Sequence, residues 1–289
     1  MCKEKLETVE EKTILEKFGK KTLEIGKLPN LKFETTLGIS EYIITAFLKT
    51  PGYYIAFQKW KDLYHTFTSA QYALVQASHS HHQGIYSNKP RFEQLWLRSE
   101  FAKNAIIWYN SCYDLFLQII YFAYDFSKPV DSPETYSNEM INCRFDSKVE
   151  DWKGNKNGFK QLIDNHNEEA QKLYKKLIDF YFKKSADKKD NKIKEWANIL
   201  KHRGGIDFQG IYTTPKTKRI FESPFDTSYI QPLILNIDDV IELLISEHKK
   251  IVEFADFLYE FMEFDTLEKI SIIDILFKGV HPQKFSAKD

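Results

Sequence analysis

Cysteine is scarce in this chain: there are three in 289 residues, Cys2, Cys112 and Cys143, with no CxxC spacing. That number and scatter exclude a disulfide framework and a cysteine-held zinc site, and point to reduced thiols. An excess of either charge is also missing, since 41 Lys and Arg stand against 41 Asp and Glu. Sequence-blind coating of duplex DNA draws on a large basic surplus, so the balance speaks against it while leaving room for a local basic site. The N-terminal stretch MCKEKLETVEEKT has no apolar run after its charges. It therefore predicts no secretory signal and a cytoplasmic location. No Walker loop, GxGxxG, GxSxG or HExxH occurs. P-loop hydrolysis, dinucleotide chemistry, serine hydrolysis and zinc proteolysis thus lose their usual signatures, and neither a cofactor nor a metal is expected. Internal repeats and heptad runs are absent as well.

Aromatic residues, by contrast, are plentiful: 23 Phe, 16 Tyr and 5 Trp. Most fall in segments with helical periodicity, where they read as core, with some forming a seam between two copies. The stretch NAIIWYNSCYDLFLQIIYFAY (104–124) is the most membrane-like. It carries Asn104, Asn110, Asp114 and Gln118, and an Asp at mid-bilayer costs roughly 2.5–3.5 kcal/mol, so the stretch reads as a buried core helix and no membrane is expected.

The periodicity predicts an all-α protein, an antiparallel helical bundle with long central helices and a small β-hairpin insertion. Residues 1–53 form an N-terminal helical extension, with a weak stripe over 3–19 and a short helix over 39–48 that Pro51-Gly52 ends. The bundle spans 54–264: helices over 54–80 and 92–126 pair as an antiparallel hairpin. A long connection over 127–158 follows, with a short helix near 134–142. Further helices cover 165–183, with Leu173, Leu177 and Phe180 on one face, then 192 onward, and 237–264. The alternation around PKT in GIYTTPKTKRIFESP (210–224) reads as a hairpin, and 265–289 is a tail.

The stretch KIKEWANILKHR (192–203), followed by Gly204-Gly205, carries the chemistry. At about 100° per residue, Ile193, Trp196, Ala197 and Leu200 share one face, while Asn191, Glu195, Asn198 and His202 line the opposite one. Asn198 and His202 are one turn apart, where side chains meet. The plain alternative is that Lys201, His202 and Arg203 stand in the last turn because the helix dipole favours cations there.

With Asn198 and His202 in ANILKH (197–202), the long helix from Arg98 and the KHRGG helix end, the chain resembles the HEPN superfamily, in particular a stand-alone, clostridial-type prokaryotic branch. The likeness covers most of 54–264. It implies a helical bundle that binds RNA or a nucleotide, in phage defence or a toxin–antitoxin pair, acting as a homodimer and with a nucleotidyltransferase-like antitoxin as partner. It implies, too, metal-independent endoribonuclease chemistry. His202 is then the acid–base, because imidazole titrates near neutrality, and Asn198 orients it or the phosphate. The family's Arg position is Ala197 here, so the cation for the phosphate comes from Arg203 or Arg98. Lys201, Lys218 and Arg219 join Arg98 as RNA-binding residues. The competing expectation is a non-catalytic dimeric interaction module with a degenerate motif.

Two other constellations stand out. HSHH (79–82), with His65 upstream, puts His79 and His82 at i, i+3, but no matching acidic or histidine motif occurs elsewhere, and a solvated helix end is the simpler reading. Lys216, Lys218 and Arg219, with Tyr212 and Phe221, compose a basic-aromatic hairpin that fits RNA or an ordinary soluble turn.

Overall fold

The structure, a computed structural model, describes residues 18–32, 51–79, 90–124, 126–143, 145–146, 151–152, 159, 167–182, 192–202, 205–211 and 232–262. The fold is all-α, with seven helices among the described residues: α1 (Lys20–Gly26), α2 (Pro51–Ser78), α3 (Pro90–Ala123), α4 (Pro133–Asn142), α5 (Glu168–Phe182), α6 (Lys192–His202) and α7 (Ile237–Phe261). Two pairs of very short strands accompany them. Phe145–Asp146 (β1) pairs antiparallel with Asp151–Trp152 (β2), and Ile206–Phe208 (β3) pairs parallel with Leu233–Leu235 (β4).

Three helices open on proline. Pro51 and Pro90 lie three and two residues ahead of the expected starts at 54 and 92. Proline breaks a helix interior but is well suited to the first turn, where its missing N–H has no partner to lose. Pro51-Gly52 thus begins a helix where the sequence reading had one ending. At α4 the start is built in full: the Ser132 hydroxyl accepts from the Thr135 N–H at 3.2 Å while Thr135 Oγ1 accepts from the Ser132 N–H at 3.0 Å. Asn167 caps α5 by accepting from the Ala170 N–H at 2.8 Å, and Asn236 caps α7 through the Asp238 N–H at 2.9 Å.

The chain divides into two compact units. Unit 1 takes Met1–Asn30, Thr66–Ser111 and Asp190–Lys249; unit 2 takes Leu31–His65, Cys112–Lys189 and Lys250–Asp289. In unit 1 the pairs Ala77–Arg98 and Phe67–Tyr109 show α2 and α3 running antiparallel, as the expected hairpin requires. Its buried residues include Phe67, Ala70, Leu74, Ile106, Tyr109, Ile241 and Leu244. In unit 2, α5 lies antiparallel to α7, with Phe180 against Phe254 and Lys172 over Phe261. Leu173, Leu177 and Phe180 are buried together, as their spacing predicts. No helix among the described residues is long and apolar enough to cross a membrane. The α3 stretch that looked membrane-like is instead core, with Tyr109, Cys112, Phe116, Ile119 and Ile120 buried.

The parallel β3–β4 pair was not anticipated, because three residues carry too little alternation to read. The hairpin expected over 210–224 lies almost wholly outside the described residues, as do the helices at 3–19 and 39–48 and the tail at 265–289.

Candidate functional site

Helix α6 is short and one-sided. Ile193, Trp196 and Ala197 are buried and Leu200 is half-buried, whereas Lys194, Glu195, Asn198, Lys201 and His202 are exposed. The apolar side anchors the helix, so the polar side is held outward rather than left to drift. Beyond Gly205 the chain enters β3, which bonds to β4 in parallel register, Ile206 opposite Leu233 and Phe208 opposite Leu235. β4 leads through the capping Asn236 directly into α7. The end of α6 is thereby fastened to the start of α7 within unit 1.

On the outer side Asn198 and His202 stand one turn apart, about 40° around the helix from one another, and Lys201 lies about 60° to the other side of Asn198. Neither Asn198 nor His202 makes a hydrogen bond or ion pair with another described residue. An amide, an imidazole and an ammonium therefore face solvent from a single turn and a half. Such a trio can hold a phosphate and move a proton. Position 197, where the HEPN resemblance would call for an arginine, is different. Ala197 is fully buried, and a guanidinium there would have to be desolvated and paired inside the core.

Arg98, expected as an alternative cation and RNA contact, has work inside unit 1. Its Nε donates to the Ala77 carbonyl at 2.8 Å and its Nη2 to Asp238 Oδ1 at 3.2 Å, tying the end of α2 to the start of α7. Arg203, Lys218 and Arg219 lie outside the described residues. Lys201 is consequently the described cation nearest to Asn198 and His202 along α6.

The histidines read for metal binding separate. His79 is buried, with Nε2 3.1 Å from Gln76 Oε1 and its ring 4.9 Å from that of Phe18, so it is a packed residue rather than a solvated helix end. His65 is exposed beside Tyr64. His82 lies outside the described residues, and no group of three or more metal-ligating side chains occurs among those described.

Sequence reasoning passed over one polar centre. His248 is fully buried in unit 1: its Nδ1 lies 2.8 Å from the Tyr109 hydroxyl, its Nε2 lies 2.7 Å from the Pro29 carbonyl, and its ring packs 4.6 Å from Phe67. A carbonyl only accepts, so Nε2 carries the proton and Nδ1 accepts from Tyr109. Burial, reinforced by neighbouring Lys249 and opposed by the bond to Pro29, lowers its pKa to about 4. The signal was present in the α7 pattern, where 248 falls on the same apolar face as Ile241, Leu244 and Ile251. Compared with protein-family models, characterised proteins and solved structures, the chain matches none.

Proposed function

We propose that the chain binds RNA or a nucleotide through the outer face of α6 and cleaves RNA there without a metal. The observation that supports this reading is the exposure, on one short anchored helix, of Asn198, Lys201 and His202 with the two polar groups unengaged. In the step proposed, the 2′-oxygen forms a bond to phosphorus as the bond from phosphorus to the 5′-oxygen breaks. The proton lost by the 2′-hydroxyl ends on that leaving oxygen. His202 serves as the acid–base group of this transfer, Asn198 orients the phosphate, and Lys201 offsets the charge that builds on it. Incubating purified protein with a pool of single-stranded and structured RNAs in excess EDTA tests the proposal. Cleavage that survives the chelator and is lost in His202→Ala supports it; cleavage equal in both proteins sinks it.

A second reading is favoured by one specific observation, the buried Ala197 at the family's Arg position. On it the polar row is the contact between two copies of a non-catalytic module. Sedimentation then shows a dimer that Asn198→Arg disrupts, and neither protein cleaves RNA. A monomer at micromolar concentration removes this alternative.

A further inference from the structure

In unit 2 five aromatic rings follow one another from α3 across α5 to α7. Tyr113 stacks on Phe180 with centroids 4.8 Å apart and planes 16° apart, and Phe180 on Phe254 at 4.2 Å and 6°. Phe257 follows at 6.2 Å and Phe261 at a further 5.4 Å. The first three rings are buried; Phe257 and Phe261 are half-buried, so the run reaches solvent along α7. A lysine lies at each of these outer rings: Lys176 Nζ is 5.6 Å from the Phe257 centroid and Lys172 Nζ is 6.0 Å from that of Phe261. At the inner end Lys250 sits over Tyr113 and Phe180 at 5.4 and 5.2 Å and donates to the Tyr113 hydroxyl at 3.1 Å.

The two ends differ in what their cations do. Lys250 is half-buried and already bonded, whereas Lys172, Lys175 and Lys176 are exposed on α5 and form no ion pair with a described residue. Of the acids on this part of α7, Asp256 and Glu260 are met by Lys32 Nζ at 3.6 and 2.9 Å, leaving Glu253 as an exposed carboxylate. Exposed ammonium groups over half-buried rings suit a ligand that alternates flat bases with phosphates.

We propose that Phe257 and Phe261 form a stacking platform for single-stranded RNA, on which successive bases lie while Lys172 and Lys176 swing from the rings to the intervening phosphates. Base stacking on an aromatic ring is tolerant of sequence, so the platform takes single strands of any composition. A duplex keeps its bases inside and offers the rings nothing. The inference rests on the reading that this chain binds RNA, and it adds the strand form and a second contact surface.

The test is fluorescence anisotropy of the full chain with a labelled single-stranded 12-mer RNA, the same RNA as a duplex, and a poly-glutamate peptide, each over a range of salt. Wild-type protein is expected to prefer the single strand. Lys172→Gln/Lys176→Gln is expected to weaken it about tenfold and to reduce the slope of log affinity against log salt by about 1.4, since each phosphate contact on a single strand contributes about 0.7. Phe261→Leu keeps the charges and removes the stack, and is expected to weaken binding with an unchanged salt slope. The platform is overturned if the RNA binds but these variants bind it as the wild type does, or if the duplex or the peptide binds as tightly as the single strand. Absence of RNA binding by the wild type instead defeats the RNA reading itself. His202→Ala, scored by cleavage in parallel, reports on α6 alone.

Discussion

The two units close their cores by different means. Unit 1 relies on directional polar joints. His248 spans Tyr109 and the Pro29 carbonyl, Arg98 spans Ala77 and Asp238, and the Ser78 hydroxyl donates to Thr22 Oγ1 at 3.1 Å. Unit 2 relies on rings: Phe180 lies flat between Tyr113 and Phe254 and meets Phe116 and Tyr181 edge-on. It has polar contacts as well. The Tyr181 hydroxyl donates to the Tyr113 carbonyl, and burial holds its pKa well above the ordinary phenol value. Glu139, buried at the end of α4, accepts from the Tyr121 hydroxyl at 2.8 Å and the Lys128 N–H at 3.1 Å. A joint fixes register, because a donor has few places to go; a stack contributes area and dispersion with little direction. The kind of damage each unit tolerates should therefore differ.

The largest expected effect is in the stack. Phe180→Ala removes the ring that four others touch and leaves a cavity with little to fill it, at a cost of roughly 3–5 kcal/mol in urea unfolding. A loss below about 1 kcal/mol means that unit 2 does not depend on the run of rings, and the contrast between the units collapses.

The next concerns the His248 joint and is read as a pH dependence. The folded state holds the imidazole neutral, with its pKa lowered from 6.5 to about 4, whereas the unfolded chain protonates it near 6.5. Between those values the unfolded state binds more protons. The contribution of this group is thus fully present above pH 6.5 and is lost as pH falls towards 4, amounting to about 3 kcal/mol over the window. Urea midpoints at pH 7, 5.5 and 4.5 should fall more steeply for the wild type than for His248→Leu, which has no such group. Parallel curves for the two proteins would remove the joint from unit 1.

How much of this was legible beforehand depends on the range of the interaction. Helix periodicity is local, and α4, α5, α6 and α7 appear within three residues of where their patterns put them; the clear miss is Pro51-Gly52, taken as a helix stop although proline is equally at home in a first turn. The buried face of α6 was legible for the same reason, down to Ile193, Trp196 and Ala197. What Arg98 would do was not, since its partners Ala77 and Asp238 are 21 and 140 residues away. Nor was the order of the stacked rings, for periodicity shows which face of α5 or α7 is buried but not which ring of another helix it meets. His248 was legible in principle: a histidine on an apolar face must find partners for both nitrogens. Its partner Pro29, 219 residues distant, was not.

A smaller effect is expected from Arg98→Ala, roughly 1–2 kcal/mol. The guanidinium is largely covered and its loss strands the Ala77 carbonyl, but the Asp238 carboxylate is exposed and recovers water. Arg98→Lys should recover only part of the loss, because an ammonium lacks the fork that reaches a carbonyl and a carboxylate together. Full recovery by lysine would show that position 98 supplies charge and not a joint.

The smallest expected effect on stability is the most informative about function. Asn198→Ala and His202→Ala remove exposed side chains with no described partner, and alanine is the better helix former, so each should change stability by less than about 0.5 kcal/mol. Residues that hold a fold resist removal, whereas residues that face a ligand are free to be removed until the ligand arrives. If both substitutions are neutral in urea yet alter RNA binding or cleavage, the outer face of α6 is a working surface. A loss above about 1 kcal/mol in dilute protein would place Asn198 and His202 with Arg98 and His248 among the polar groups that hold unit 1. A loss that appears only at concentrations where the protein self-associates would assign them to the contact between two copies, since mass action then contributes to the measured stability.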